Sequence, residues 1–298
     1  MHQPAQSTHS PHRLVGHLGV WALVLAGCGA NQPATHLASE PSLPAPPPEA
    51  VKLGASPFIV PGETLRLELS LRGIVGGETV MGYGQPGMID GTPIIISKSR
   101  TETVGLVRAI KEVRDEVTTH IDLGTGSPVY HHADIKFGER EAQIKTRFGN
   151  GPFVIEYDRK GIGPREYRQK MPPGQSAYDA HSILSALRGW RATSGSKAYF
   201  YAISGRRLWH NVVTVRGVEQ IQTKLGVFSA LRIEGTAWRK TRSLAAVRGS
   251  RGKPRNYTIW VSEDGDRKPL LVTAKTEYGT VKAELVSYER PDFRLSVR

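Results

Sequence analysis

Three closely spaced polar groups in this 298-residue chain could bind a metal ion or transfer a proton. His131, His132 and Asp134 form the first group, and on a strand the side chains of His132 and Asp134 would share one face. Two ligands do not complete a tetrahedral site, so we predict no metal there. In the second group, Asp179 begins a helical pattern and is expected to cap it, with His181 on the helix surface.

The third group, Glu-Asp-Gly-Asp at 263–266, could indicate calcium binding. It lacks the twelve-residue ligand loop with a final glutamate, so we predict a turn between strands, across which Asp264 and Arg267 could hydrogen-bond. Glu219, Glu234 and Glu284 fall on predicted strands. Paired carboxylates hydrolyse a glycan only if the fold brings them together, which the sequence does not determine. We therefore predict no catalytic residue, no metal and no cofactor, and keep an envelope polysaccharide hydrolase as an alternative.

The strongest local charge feature is a group of seven cations between two predicted strands. No acidic residue occurs from Gly235 to Val261, and the cations are Arg239, Lys240, Arg242, Arg248, Arg251, Lys253 and Arg255. Seven positive charges in one hairpin loop could bind phosphates or acidic sugars through charge-assisted hydrogen bonds. The alternative interpretation is a solvated loop without a ligand.

Cys28, the only cysteine, ends a targeting pattern. An apolar run from Leu14 to Ala26 precedes it and is shorter than the ~20 residues that span a bilayer. We predict a lipoprotein signal peptide over residues 1–27 and a lipid on Cys28, a double or multiple acylation that anchors stably. Gly29 and Ala30 follow where inner-membrane retention would favour aspartate, so the resemblance to Gram-negative lipoproteins indicates the outer membrane.

Charge and composition divide the rest of the chain. Residues 28–55 are predicted to be a proline-rich tether, and residues 56–298 a single β-rich domain with the basic loop at 239–255. The formal net charge is +13, to which residues 1–27 contribute only Arg13. In the envelope such a charge favours phosphorylated lipids or acidic glycans as partners, and we expect no nucleic acid.

Period-two alternation predicts strands through most of the domain, most clearly at Leu65, Leu67, Leu69 and Leu71. We predict a hairpin turn at Gly73 to Gly77, loops at 84–93 and 161–174, a short helix at 104–110, and a hairpin turn at Tyr278-Gly279. The clearest helix covers 179–189, with Gly189 at its expected C-terminal cap. At about ten residues it must pack against the sheet to be stable.

The C-terminal strands resemble a bacterial envelope family known as domain of unknown function 3108. The residues that carry the resemblance include Trp260, Ser262, Asp264, Arg267 and Pro269, with further matches at Glu63 to Gly77, Arg114-Asp115, Tyr178-Asp179, Leu187-Arg188 and Ala283 to Leu285. The resemblance covers about residues 58–289. It implies a mainly β fold, a curved antiparallel sheet or open β-barrel with one short helix packed against it, and no catalytic residues.

From these features we expect a non-catalytic, lipid-anchored envelope protein that binds an anionic or lipidic component or serves as an assembly scaffold, with envelope proteins as further partners. A carrier of an acyl chain in the concave face is the main alternative. An open apolar concavity would favour the carrier, and carboxylates converging in a cleft would favour the hydrolase.

Overall fold

The computed structural model describes residues 50–54, 56–149, 152–171, 175–239, 254–276 and 279–291. These residues form one open sheet of 16 strands with two helices. The strands are β1 (Val51–Lys52), β2 (Thr64–Leu71), β3 (Ile74–Ile89), β4 (Thr92–Thr103), β5 (Val113–Asp122), β6 (Pro128–Phe137), β7 (Arg140–Arg147), β8 (Phe153–Arg159), β9 (Gly163–Gln169), β10 (Ala177–Tyr178), β11 (Lys197–Ser204), β12 (Arg207–Thr223), β13 (Gly226–Arg239), β14 (Arg255–Ser262), β15 (Pro269–Thr276) and β16 (Gly279–Glu289). The helices are α1 (Gly105–Ile110) and α2 (Ala180–Gly189).

The sheet is an antiparallel meander in two halves. One half runs in order from β11 to β16 and the other from β2 to β9, and β16 pairs with β2 to join them. The short strands β1 and β10 both pair in parallel with β11. The sheet ends at β9 on one side and at β1 on the other, so it is not closed into a complete barrel. This confirms the predicted curved, open and mainly β architecture.

Alternating side chains on the strands give the sheet a buried concave face. Leu65, Leu67 and Leu69 of β2 are buried as predicted, and they belong to the main core with residues of α2 and of β11 to β16. Leu71 at the end of the strand is 39% exposed. The period-two pattern therefore identified the inner face correctly, because one face of each strand packs on the core.

Helix α2 lies in the concavity, and every residue from His181 to Arg188 is buried. Ile183, Leu184 and Leu187 pack in the main core, while polar side chains at the two helix ends bond to β4 and to Glu63, the residue just before β2. Strand β11 is buried on both faces, because Phe200 faces the main core and Ile203 belongs to a second core formed mainly by β6 to β9. The curved sheet thus wraps around α2 and covers the outer face of β11.

Two predicted loops contain strands. Residues 84–93 continue β3 to Ile89 before the turn at Asp90-Gly91, and a register shift between Tyr83 and Pro86 admits the proline into the pair. The interval 161–174 contains β9, whose early Pro164 is tolerated because β9 is a terminal strand of the sheet. Glycine and proline do not interrupt these two strands as predicted, because one strand has an irregular register and the other lies at the edge of the sheet.

Three smaller predictions differ from the structure or concern residues that the structure does not describe. The turn predicted at Gly73 to Gly77 is limited to Arg72-Gly73, and β3 begins at Ile74. The folded part starts before residue 56, since β1 pairs with β11 and Leu53 is 1% exposed. Cys28, the rest of the tether to residue 49, and Tyr278 lie outside the described residues. In the described part of the chain, no helix has the length and apolar character needed to cross a bilayer.

Candidate functional site

A chain of hydrogen bonds joins the start of α2 to three strands of the sheet. His181 Nε2 lies 2.8 Å from Ser99 Oγ of β4, and His181 Nδ1 lies 3.0 Å from Thr119 Oγ1 of β5. Thr119 donates to the carboxylate of Asp179, whose Oδ2 is also 3.0 Å from His131 Nδ1 of β6. All five side chains are buried. This hydrogen-bond network therefore links the helix to the sheet, and its buried polar groups serve as one another's hydrogen-bond partners.

Asp179 is the helix cap, as predicted. Its Oδ1 accepts a 3.0 Å bond from the Ser182 backbone N–H, and the Ser182 hydroxyl accepts one from the Asp179 N–H, which completes a capping box. Burial acts to raise the pKa of Asp179, but hydrogen bonding and charge from His131 outweigh it, so the net pKa is lowered. The carboxylate is therefore ionised where it caps the helix.

The prediction that His181 lies on the helix surface is wrong, because its side chain is completely buried. The curved sheet and the N-terminal segment together enclose α2, so a residue two positions from the cap still faces a strand. Burial, with a smaller effect of His131, lowers the pKa of His181 to about 4, and nearby Asp179 acts against this shift. The imidazole is neutral at physiological pH.

A neutral histidine beside a serine hydroxyl is the pairing that can activate a nucleophile. Here, however, the second ring nitrogen of His181 faces the hydroxyl of Thr119 where a triad would have a carboxylate. The hydroxyl of the partner serine, Ser99, belongs to a residue that is only 8% exposed. These contacts support a structural role for the network.

The other end of α2 is fixed by a buried arginine pair. Arg188 donates to both carboxylate oxygens of Glu63, and both side chains are 0% exposed. Its guanidinium also donates to the carbonyls of Arg267 and Asp266, at 2.9 Å and 3.0 Å. In return, Arg267 donates to the carbonyls of Arg188 and Trp190 at 2.8 Å and 3.2 Å. Arg267 thereby satisfies carbonyls that the helix end leaves open.

Gly189 has a different role from the predicted cap. It is the last helical residue, and a Cβ atom placed there would lie 1.9 Å from the carbonyl oxygen of Ser56. The N-terminal segment crosses directly over this point, and the Phe58 N–H donates to the Ser185 carbonyl at 2.9 Å. Close approach of two backbones, and not a left-handed conformation, requires glycine here.

The residues that carry the sequence resemblance stabilise this frame. Ser262 donates to Asp264 at 2.6 Å, and the same Asp264 oxygen accepts the backbone N–H of Arg267 at 3.2 Å. The run 263–266 is the predicted turn between strands. Trp260 donates to Glu219 at 2.6 Å, and Pro269 begins β15 in a buried position. The turn therefore positions Arg267 for its contact with α2.

The remaining predicted carboxylates and His132 lie in ion pairs, and among them Glu284 is buried. Glu219 and Glu234 both approach Arg232, at 3.5 Å and 2.6 Å, and Glu284 lies 2.8 Å from Lys282. His132 and Asp134 share a face as predicted, with Nε2 and Oδ2 3.5 Å apart. Among the described residues, no group of three potential ligands is arranged for a metal ion.

The basic loop is described only at its two ends. Arg239 closes β13 opposite Trp209, and the guanidinium of Arg255 lies 4.5 Å from the centre of the Trp209 ring. Lys240, Arg242, Arg248, Arg251 and Lys253 lie outside the described residues. The two loop ends therefore meet at one buried aromatic ring.

A third arginine, missed in the sequence, joins this position. Arg206, in the turn between β11 and β12, stacks on Tyr157 and Tyr167 at 5.5 Å and 5.2 Å and donates to the Tyr167 hydroxyl at 2.6 Å. Burial lowers the pKa of Arg239, and the positive charge of Arg206 lowers it further. We call Arg206, Arg239 and Arg255 the basic mouth, because they lie together at one end of the strands β11 to β14.

Some of the site residues that were not predicted do lie in recognisable stretches of the sequence. Arg188 and Glu63 fall within the stretches of family resemblance, but their pairing joins positions 125 residues apart. Ser99, Thr119 and Arg206 have ordinary local patterns. Only the curvature of the sheet brings them to α2 or to the loop ends.

The chain is similar in sequence to one protein family and in fold to several solved structures. A family described as "Protein of unknown function (DUF3108)" matches residues 66–286. A solved β-barrel-like protein of the unknown-function domain DUF1849 from Brucella abortus aligns with a TM-score of 0.50 and 11% identity, over 79% of this chain and 100% of that one. No curated protein matches the sequence significantly.

Two more distant structures also align. One is a proposed exported protein with a YmcC-like fold from Bacteroides fragilis, with a TM-score of 0.38 and 7% identity over 79% of this chain and 100% of that one. The other is a proposed lipoprotein from Parabacteroides distasonis, with a TM-score of 0.36 and 5% identity over 80% of this chain and 99% of that one.

Proposed function

The chain belongs to the DUF3108 family, and from that premise we propose that it is a non-catalytic, lipid-anchored protein of the outer membrane that binds an anionic glycan or glycolipid at its basic mouth. The observation that carries the proposal is the convergence of Arg206, Arg239 and Arg255 at the base of the cationic loop. Three guanidinium groups close together create a local positive potential, which favours an anionic partner.

The chemistry of the mouth fits a phosphorylated or carboxylated sugar. Guanidinium groups bind phosphate and carboxylate oxygens at two points. Arg206 lies over Tyr157 and Tyr167, and Arg255 lies over Trp209, so cation–π contacts orient these two guanidinium groups. Prior ordering of the arginines lowers the entropy cost of binding.

The occupied concavity favours surface binding over an acyl-chain carrier. Ile183, Leu184 and Leu187 of α2 fill the inner space with core packing, and the helix is fixed at both ends by buried hydrogen bonds. A carrier would have to displace this helix or use another space. The non-catalytic part of the proposal is supported by the use of Asp179, His131 and His181 in anchoring the helix.

Binding of a delipidated, phosphorylated lipopolysaccharide core oligosaccharide to the mature chain tests the proposal. We expect the substitution of Arg206, Arg239 and Arg255 by glutamine to weaken binding at least tenfold, and wild-type affinity to fall steeply with salt. The matched control replaces Arg66, Arg100 and Arg114, which lie in exposed ion pairs on the sheet. Equal affinity of the two triple variants, or equal binding of a neutral oligosaccharide, would contradict the proposal.

A further inference from the structure

One end of the sheet exposes an unusual group of large apolar side chains. The exposed fractions are 86% for Leu106, 83% for Ile110 and 70% for Ile74, with Val75 at 43% and Leu71 at 39%. We call these five residues the apolar rim. Exposed apolar residues scattered singly need no explanation, whereas a contiguous group of this kind indicates an interaction surface.

The five residues lie on β2, β3 and α1, which meet at this end of the sheet. Leu71 and Ile74 face each other across the turn between β2 and β3. Helix α1 packs on the start of β3, since the Val104 N–H donates to the Gly76 carbonyl at 3.1 Å and a Cβ on Gly76 would lie 2.9 Å from Val107. Val107 thus anchors the helix, and its other two large apolar residues, Leu106 and Ile110, project from positions four apart on the same face.

Three cations lie beside the apolar rim. Arg72 lies in the β2–β3 turn and Arg108 in α1, and both are exposed. Lys111 follows the helix and lies 4.5 Å over the Phe137 ring. The four acidic residues that flank these elements in the sequence are each paired with a cation, namely Glu68, Glu78, Glu102 and Glu112. Apolar tips between basic residues are the pattern by which short helices and loops enter an anionic membrane interface.

From this arrangement we propose that the apolar rim docks on an anionic lipid bilayer, inserting Ile74, Leu106 and Ile110 among the headgroups. The contact needs little intrinsic strength. The predicted lipid on Cys28 and a tether of about 22 residues, spanning roughly 65 Å at most, would keep the domain close to the same surface and raise its effective concentration. The inference is independent of the proposed glycan binding, because it uses different residues.

The antiparallel topology relates the two surfaces. The turns after β2 and β11, the β4–β5 connection containing α1, and the loop after β13 all lie at the same end of the strands. The basic mouth and the apolar rim therefore open toward the same side of the molecule. Docking by the rim would direct the mouth toward the membrane surface.

Vesicle binding by the mature chain from residue 28, exported behind a cleavable signal sequence and carrying Cys28→Ser, tests the inference. The probe is vesicles of phosphatidylethanolamine and phosphatidylglycerol in equal parts, measured by co-sedimentation. We expect Leu106→Ser with Ile110→Ser to weaken partitioning about tenfold or more, since two exposed apolar side chains lose their burial. The control, Met88→Ser with Val227→Ser, removes two large apolar side chains that are exposed elsewhere, at 66% and 64%.

Several outcomes would overturn the inference. They are no binding of the Cys28→Ser chain to anionic vesicles, equal weakening by the control variant, and full binding by the rim variant. Self-association of the chain that disappears in the rim variant, without vesicle binding, would assign the rim to a second copy. Because the rim variant keeps the basic mouth, its binding of the core oligosaccharide reports separately on the proposed function.

Discussion

The guanidinium of Arg188 and the carboxylate of Glu63 form a two-point ion pair in which neither side chain is exposed. The pair joins the last turn of α2 to the residue just before β2, and Phe58 stacks on the guanidinium with a separation of 4.9 Å. The core helix is thus fixed to the strand that joins the two halves of the sheet. Ions this deeply buried are stable only as a pair, because each alone would carry the full desolvation cost.

Removing one partner is therefore expected to destabilise the domain strongly. Glu63→Gln leaves the Arg188 charge without its carboxylate, and we expect a loss of about 3–5 kcal/mol in the free energy of unfolding. Denaturant unfolding followed by circular dichroism measures it. Glu78→Gln, which breaks the exposed Arg66–Glu78 pair, is the control and should cost at most about 1 kcal/mol. Similar losses in the two variants would show that the buried pair is not critical.

Gly189 provides a second stability test. The methyl group of Gly189→Ala would overlap the Ser56 carbonyl, so the N-terminal segment must move and its Phe58–Ser185 hydrogen bond must weaken. We expect a loss of about 1–3 kcal/mol, visible as a lower melting temperature. Gly265→Ala, where no atom lies within 4 Å of the new methyl group, should leave the melting temperature nearly unchanged.

His181 should make stability depend on pH. Its folded pKa of about 4 lies below the unfolded value of about 6.5. As pH falls from 6.5 to 4, the unfolded chain binds a proton that the folded chain excludes, so roughly 3 kcal/mol of stability is lost across this window.

The His181→Gln variant lacks this loss, and its unfolding free energy should fall less than that of the wild type between pH 7 and pH 4. Urea titrations at a series of pH values measure the difference. His132→Gln, at a partly exposed position on the outer face, should retain the wild-type slope. A His181→Gln slope equal to that of the wild type would show that His181 is not excluded from protonation.

Asp115 should act in the opposite direction. It is a buried residue of β5, and its Oδ1 has no hydrogen-bond partner among the described residues. Burial raises its pKa to about 7. The folded carboxyl stays protonated while the unfolded one ionises near pH 4, so its contribution to stability is complete below about 4 and is lost as pH rises through 7.

Asp115→Asn removes this penalty. We expect the variant to be more stable than the wild type by roughly 1–4 kcal/mol at pH 8, and the difference to disappear near pH 4. Asp158→Asn, at an exposed position, should show no such pH-dependent gain. A pH-independent difference for Asp115→Asn would mean that the carboxyl does not titrate in this range.

The predicted lipid anchor can be tested in cells. Cys28→Ser removes the only thiol that could be acylated, so radiolabelled palmitate should no longer enter the protein. The matched control, Ser42→Ala in the tether, should be labelled like the wild type. Unchanged labelling of Cys28→Ser would exclude this residue as the attachment site.

The sequence by itself determined the strand pattern, the helix and its cap. Leu65, Leu67 and Leu69 alternate because one face of a strand packs inward, and Asp179 caps because its oxygen bonds to N–H groups within the same turn. These relationships are local, so periodicity and capping rules predict them. Residues 84–93 and 161–174 were assigned incorrectly because a sheet edge or a register shift tolerates proline and glycine that a regular central strand would not.

Only the tertiary structure decided where the polar side chains meet. His181 contacts Ser99, 82 positions away, and Arg188 contacts Glu63, 125 positions away, since the helix lies inside the curved sheet. The apolar rim and the basic mouth likewise depend on which turns the antiparallel order brings to one end of the strands. Such contacts depend on curvature and strand register summed over the whole sheet, and these have no signature in a short stretch of sequence.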